Sequence, residues 1–232
     1  MINLNLVKNG NLSLKRFERK LRRGWFDDGD ERIILFPENT LRDKFLRRDF
    51  ELYLSKLSLD GQTTAFFSAF MRNKIPNPNK SSVQIFIDDD DVYFRNYGCF
   101  ISGTSIKNYP KEVVTSYDSS NSGTGFGVEY LDVDLFKHKV DFPKIEIDGR
   151  IIEFRLCRDI ECGSTNNPDI VLCSAYGLRN YEEAIKRSLE DKTAIIHDIT
   201  QANPIVYHAG DFYQSRYAIR KAKELGINLL IK

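Results

Sequence analysis

Between Lys144 and Leu178 the chain writes strand, turn, strand, loop and strand around one cysteine. Ile145 and Ile147 alternate with polar residues, Asp148-Gly149 supplies a two-residue turn, and Ile152, Phe154 and Leu156 resume the alternation. The pattern predicts two antiparallel strands sharing one buried face, with Cys157 the last residue before the charged Arg158-Asp159. A cysteine at the end of a core strand, where the chain must turn, presents its sulfur from a rigid support. A second apolar run, Ile170–Cys173, follows the polar 163–168 loop, and Ser174–Gly177 then leads into a helical pattern. Any fold for this chain has to accommodate that arrangement around a thiol.

The N-terminal part adds a parallel component. Ile2–Val7 alternates and reads as a strand ended by Asn9-Gly10. Ser13–Trp25 spaces Leu14, Phe17, Leu21 and Trp25 by three and four, an amphipathic helix with Ser13 placed to cap it. Its other face carries Lys15, Arg16, Arg19, Lys20, Arg22 and Arg23. This basic face reads first as a solvated surface, and second as a contact for an acidic partner or nucleic acid. Ile33–Phe36 is a short continuous apolar run, typical of a strand buried on both sides. Strand, helix and strand at this spacing predict a βαβ unit with a parallel pair. Glu38 then stands just past the carboxyl end of a buried strand, where ligand groups gather in α/β folds.

Further along, helical spacing over Leu41–Met71 predicts two helices separated at Asp60-Gly61. Val83–Ile87 and Val92–Ser102 predict strands of a hairpin, with Asp88–Asp91 read as its turn rather than as a cation site. The Ser116–Gly127 stretch is Ser/Gly/Asn-rich and reads as a lid or surface loop. Its Gly123-to-Gly127 run lacks the preceding strand and following helix of a nucleotide loop. Tyr181–Lys192 predicts a helix, Ala194–Ile199 a strand, Ala218–Leu225 a helix closed by Gly226, and Ile227–Ile231 a last strand. With no repeat or linker composition, one domain over residues 1–232 is expected.

Charge and cysteine usage exclude several function classes. A net charge of +1 provides no overall field for nucleic acid or an anionic membrane. No apolar run approaches a membrane-spanning length, and the first residues lack the apolar core of a signal peptide. Four cysteines in 232 residues are no disulfide framework, so a cytoplasmic setting is expected, with signal-peptide-independent export also compatible. The three histidines, His138, His197 and His208, form no paired ligand motif, so no metal or cofactor is expected. Ser174 lacks the preceding glycine of a nucleophile elbow. Cys157 is the stronger nucleophile candidate: it needs a base or cation to make the thiolate, and a donor for the oxyanion.

Three segments occur in order: Phe36-Pro37-Glu38, Tyr109-Pro110-Lys111 and Leu156-Cys157-Arg158-Asp159, with Leu172–Leu178 a short distance on. Together they resemble the carbon–nitrogen hydrolase (nitrilase) superfamily over about residues 2–207. The resemblance implies a four-layer α-β-β-α sandwich and a hydrolase of amides or nitriles, amides being the commoner use of the scaffold. It implies Glu38 as general base, Cys157 as nucleophile forming a thioester, and Lys111 as the cation that stabilises the tetrahedral intermediate. Lys107, Lys137, Lys139 and Lys144 are the other lysines in range, and Glu129 is the nearest candidate for the second Glu that many members add. The partner implied is a small-molecule amide or nitrile, with a homo-oligomer left open. Departures are the short His208–Lys232 tail and the Arg after the Cys. Two rival readings stand beside it: a Cys-His hydrolase using Cys157 with His197 or His208, and an inactive scaffold binding an acidic partner through residues 15–23.

Overall fold

A computed structural model describes residues 1–22, 31–41, 44–57, 59, 61–74, 83–86, 92–113, 127–130, 135–178 and 181–231. The predicted Asp88–Asp91 turn and most of the 116–127 loop lie outside these residues.

Two sheets form the centre. The first contains β1 (Ile2–Leu6), β2 (Arg32–Leu35), β4 (Thr63–Lys74), β6 (Val92–Ser102), β7 (Ser105–Pro110) and β17 (Ile227–Ile231). Their order is β17-β1-β2-β4-β6-β7, and the short β3 (Lys44–Phe45) also pairs with β4. The second contains β10 (Lys144–Ile147), β11 (Arg150–Leu156), β13 (Ile170–Ala175), β14 (Thr193–Asp198), β15 (Ile205–His208) and β16 (Asp211–Tyr213), hydrogen-bonded in that order. Two small pairs stand apart: β5 (Val83–Phe86) with β8 (Gly127–Tyr130), and β9 (Lys139–Val140) with β12 (Gly163–Ser164).

The alternation of side chains explains the layers. From β2, Ile33 and Leu35 point into a core shared with Leu4, Phe66, Phe154, Leu156, Leu172 and Ile195, which lies between the sheets. Ile34 and Phe36 point the other way, onto Phe17 and Leu21 of α1 (Leu14–Arg22) and Phe50 and Leu54 of α2 (Arg47–Ser55). On the far side, Val171, Cys173, Ala194 and Ile196 meet Ile185 and Leu189 of α3 (Glu182–Leu189). Helices, sheet, sheet and helix make the expected four layers. A last helix, α4 (Ser215–Glu224), packs Ala218 and Ala222 onto the inter-sheet core and contacts β15, β16 and β17. No helix among the described residues is long and apolar enough to cross a membrane.

The βαβ unit is present, with β1 and β2 parallel and Leu4 opposite Ile33. The Asp148-Gly149 hairpin is present too, with both residues at positive φ (53° and 73°), the conformation a tight two-residue turn requires. On α1, Phe17 and Leu21 are buried while Lys15, Arg16 and Arg19 face solvent, so this is an amphipathic surface helix.

Two expectations are corrected. The second helix predicted within Leu41–Met71 is a strand, β4. Ala65, Phe67, Ala69 and Met71 face the helices and Phe66 faces the second sheet, so both faces are apolar. A strand buried on both sides loses its polar alternation, and its apolar run over residues 65–71, broken only by Ser68, also satisfies helical spacing. The predicted hairpin of Val83–Ile87 with Val92–Ser102 is also replaced: β5 pairs with β8, while β6 pairs with β4 and β7. The short tail after His208 supplies the β16 edge strand, α4 and β17, which joins the first sheet parallel to β1.

Candidate active site

Strands β2, β11 and β13 end level with one another, and the two sheets are tied there. Ser174, the register partner of Leu156, donates its hydroxyl to the Phe36 carbonyl at 2.5 Å. Phe36 leads to Glu38 and Leu156 leads to Cys157, so one cross-sheet hydrogen bond fixes where both segments leave their strands. The Glu38 turn is held by Thr40 Oγ1 on the Pro37 carbonyl (2.6 Å) and by Ser68 Oγ accepting the Asn39 N–H (2.7 Å).

Lys111 follows β7, and its N–H donates to the Asn96 carbonyl at 2.9 Å. Its Nζ donates to Glu38 Oε1 at 2.7 Å, and both side chains are only 1% exposed. Asn96 Nδ2 donates to the same oxygen at 2.9 Å. Asn96 therefore registers both partners, holding the lysine by its backbone and the carboxylate by its amide. Of the other lysines considered, Lys107 and Lys137 are exposed, Lys139 lies over the Phe136 ring, and Lys144 donates to Asn166 at 2.7 Å. Glu129 falls on β8, with its side chain outside the described part of the structure.

Cys157 leaves extended backbone and enters the left-handed region (φ 45°), opening a single 3-10 turn over Cys157–Glu161. Such a φ costs a non-glycine residue about 1–2 kcal/mol, so the surroundings must enforce it. They do so through Arg155, buried behind the turn, whose guanidinium donates to the carbonyls of Ile160 (3.1 Å) and Cys162 (2.9 Å). Arg155 is itself fixed by Glu153 at 2.6 Å, and Ser164 and Asn166 hydrogen-bond the other Glu153 oxygen. Arg158, adjacent to the cysteine, pairs instead with Glu161 at 2.7 and 2.9 Å on the half-exposed side of the turn. Cys173 Sγ donates to the Cys157 carbonyl at 3.5 Å. Burial pushes the Cys173 thiol well up, and the charges of Cys157, Glu38 and Asp159 push it the same way.

Sequence reasoning does not single out Asn96, and it takes Asp159 only as part of the Cys157 segment, with no role of its own. Burial raises the Asp159 carboxyl from 3.8 to about 8, against the opposing pull of Lys111 and the Val113 N–H. A carboxyl whose folded value lies above its unfolded value stabilises the fold at low pH. That contribution is present in full below about pH 4 and is lost as pH rises towards 8. Stability measured by urea unfolding should fall between pH 5 and 8.5 more steeply in wild type than in Asp159→Asn; equal slopes would reject this assignment.

Gly98 marks a packing constraint beside the site. It lies opposite Tyr109, and a Cβ there would meet the Tyr109 ring at 2.2 Å. Gly98→Ala should therefore displace that ring and cost about 1–3 kcal/mol, visible as a lower urea midpoint.

The histidines are differently employed. His197 Nε2 lies 2.7 Å from the Val7 carbonyl; a carbonyl only accepts, so this nitrogen carries the proton and ties β14 to the end of β1. Burial lowers its basicity. His208 hydrogen-bonds Thr193 Oγ1 at 3.0 Å, and Thr193 is level with Ile170 and Ile152 at the opposite end of the sheet. Cys157 is roughly 16 Å further along, at about 3.3 Å per residue. His138 meets Glu112 at 3.3 Å. Among the described residues no three His, Cys, Asp or Glu side chains gather as a metal site.

No family model matches the sequence, and no curated protein sequence does. Solved structures do match. An amidase from Nesterenkonia sp. AN1 superposes with a TM-score of 0.53 at 11% identity, covering 91% of this chain and 86% of the amidase. A serine-for-cysteine mutant of the Nesterenkonia AN1 amidase, described as from the nitrilase superfamily, gives 0.52 at 12% identity, covering 91% and 85%. The chain has the fold of the carbon–nitrogen hydrolase (nitrilase) superfamily.

Proposed function

We propose that residues 1–232 form one divergent carbon–nitrogen hydrolase domain that cleaves small amides, with Cys157 as nucleophile, Glu38 as general base and Lys111 as oxyanion-stabilising cation. The observation that carries this reading is the buried Lys111–Glu38 pair, at 2.7 Å, beside the strand end that presents Cys157. Removing both charges from water is costly, so a pair kept this dry suits chemistry better than stability. An ammonium there can meet the charge that develops on a substrate oxygen.

In the reaction, Glu38 takes the Cys157 thiol proton and the thiolate attacks the carbonyl carbon. The oxyanion forms beside Lys111. Glu38 returns the proton to the leaving nitrogen, ammonia or an amine departs, and a thioester remains. Water, deprotonated by Glu38, then releases the acid and restores the thiol. Cys157 is only 5% exposed, which favours small substrates, and the structural likeness to an amidase favours amides over nitriles.

The test couples product release to thiol reactivity. Ammonia release from short aliphatic and aromatic amides and nitriles is measured beside alkylation of each cysteine between pH 5.5 and 9. Cys157 should react fastest, and Glu38→Gln or Lys111→Ala should change its pH profile while His197→Ala should not. A profile governed by His197 and indifferent to Glu38 would transfer the assignment to a Cys-His hydrolase.

A further inference from the structure

Asp159 lies two residues beyond Cys157, inside the turn that this cysteine opens, and is fully buried. Its Oδ1 accepts the Val113 N–H at 2.8 Å, and the Glu112 N–H also acts on the carboxyl. These are the two residues that follow Lys111. Oδ2 is buried with no hydrogen-bond partner of good geometry among the described residues, and so is the hydroxyl of Tyr109, two residues before Lys111. The Asp159 carboxyl nevertheless acts on the Tyr109 phenol at hydrogen-bonding range as well as through its charge, and the Leu156 backbone also acts on that phenol. The Tyr109 ring cannot easily retreat, being packed on Gly98, parallel to Phe66 (6.3 Å between centroids) and edge-on to Phe142 (5.5 Å).

We propose that Asp159 is a positioning residue: its carboxyl clamps residues 109–113 to the Cys157 turn and so sets where the Lys111 ammonium stands relative to the sulfur. The proposal rests on the roles given above to Cys157 and Lys111. Its physical basis is that β7 and β11 belong to different sheets, so the relative position of lysine and cysteine depends on contacts across the sandwich. Asp159 supplies one such contact directly between the two catalytic segments. Lys111 and Asp159 lie within each other's field. A carboxyl engaged by peptide N–H groups can hold the lysine's backbone while its ammonium stays on Glu38. Lys111, Glu112, Tyr109, Cys162 and Cys173 are the titratable groups coupled to it.

The experiment reads Cys157 alkylation by iodoacetamide from pH 5.5 to 9, by peptide mass spectrometry, on variants whose folding is checked by circular dichroism. Asp159→Ala should slow the reaction at pH 7 by on the order of 10–100-fold and shift its pH profile in the same direction as Lys111→Ala. Asp159→Asn keeps an acceptor for Val113 and, like the largely protonated carboxyl at pH 7, offers a donor towards Tyr109, so it should return to within about threefold of wild type. The Asp159→Ala/Lys111→Ala double variant should stay within about twofold of Lys111→Ala, because a clamp without its lysine has nothing to position. Tyr109→Phe removes one side of the clamp with little risk to folding, and should give a smaller shift in the same direction. A wild-type profile in Asp159→Ala and Tyr109→Phe, with Lys111→Ala altered, overturns the clamp and leaves the catalytic reading standing. Additive effects in the double variant overturn it equally. If Glu38→Gln and Lys111→Ala also leave the profile unchanged, the catalytic reading falls and the clamp with it.

Discussion

Cys157→Ala should abolish amide hydrolysis while leaving a folded protein. Where nucleophile and base act as a unit, removing the nucleophile costs about 10⁶-fold in turnover, which puts the residue of activity below any amide background. The structural cost should be small. Alanine accepts the same φ of 45° with comparable strain, and losing one sulfur opens a void worth about 1 kcal/mol. The same variant gives a second readout, because burial pushes the Cys99, Cys162 and Cys173 thiols up and keeps them protonated. Intact-mass analysis after brief iodoacetamide treatment at pH 7.5 should show one added group in wild type and none in Cys157→Ala. Retained hydrolysis, or a second cysteine labelled as fast, would remove Cys157 from the mechanism.

How much of this could be read from the sequence follows from the range of each interaction. The βαβ unit and the Asp148-Gly149 hairpin are local, and their periodicity is written in the residues that form them. Glu38 and Cys157 stand out as candidates because each lies at or just past the end of an apolar strand, a place that α/β folds use for chemistry. Lys111 was different. It follows β7, a strand whose alternation is interrupted by Lys107-Asn108, and only its place in a family-like order singled it out. Its partner Glu38 is 73 residues away in sequence. Asn96 was illegible for the same reason: one amide within an aromatic-rich strand reads as a surface position until the sheet turns it onto a carboxylate 58 residues distant. Asp159 read as the charged end of a strand, because the Val113 N–H that explains it lies 46 residues upstream. The β4 strand failed in the opposite sense. Its local signal was strong but ambiguous, since two apolar faces erase the period that separates strand from helix.

Lys111→Met should be among the most destabilising single substitutions in the protein, and restoring neutrality should undo most of the damage. Glu38 and Lys111 are each 1% exposed, so removing the ammonium strands a carboxylate in a site largely closed to bulk water. Breaking a buried pair by deleting one partner costs about 3–5 kcal/mol. Some relief should come from protonation, because a lone buried carboxyl favours its neutral form. Lys111→Met should accordingly be less destabilised at pH 5 than at pH 8. Glu38→Gln/Lys111→Met removes both charges while nearly preserving volume, and the Gln oxygen can still accept the Asn96 amide. Replacing buried pairs in this way is often neutral or stabilising, so the double variant should regain most of the lost free energy at both pH values. It should remain inactive, as should either single variant. Urea unfolding with ammonia release on the same preparations separates the two effects. Recovery of stability without activity means that the pair is maintained for chemistry at the Cys157 turn. A double variant as unstable as Lys111→Met, with no dependence on pH, would mean that the pair holds the sheets together and that the base and the cation must be sought elsewhere.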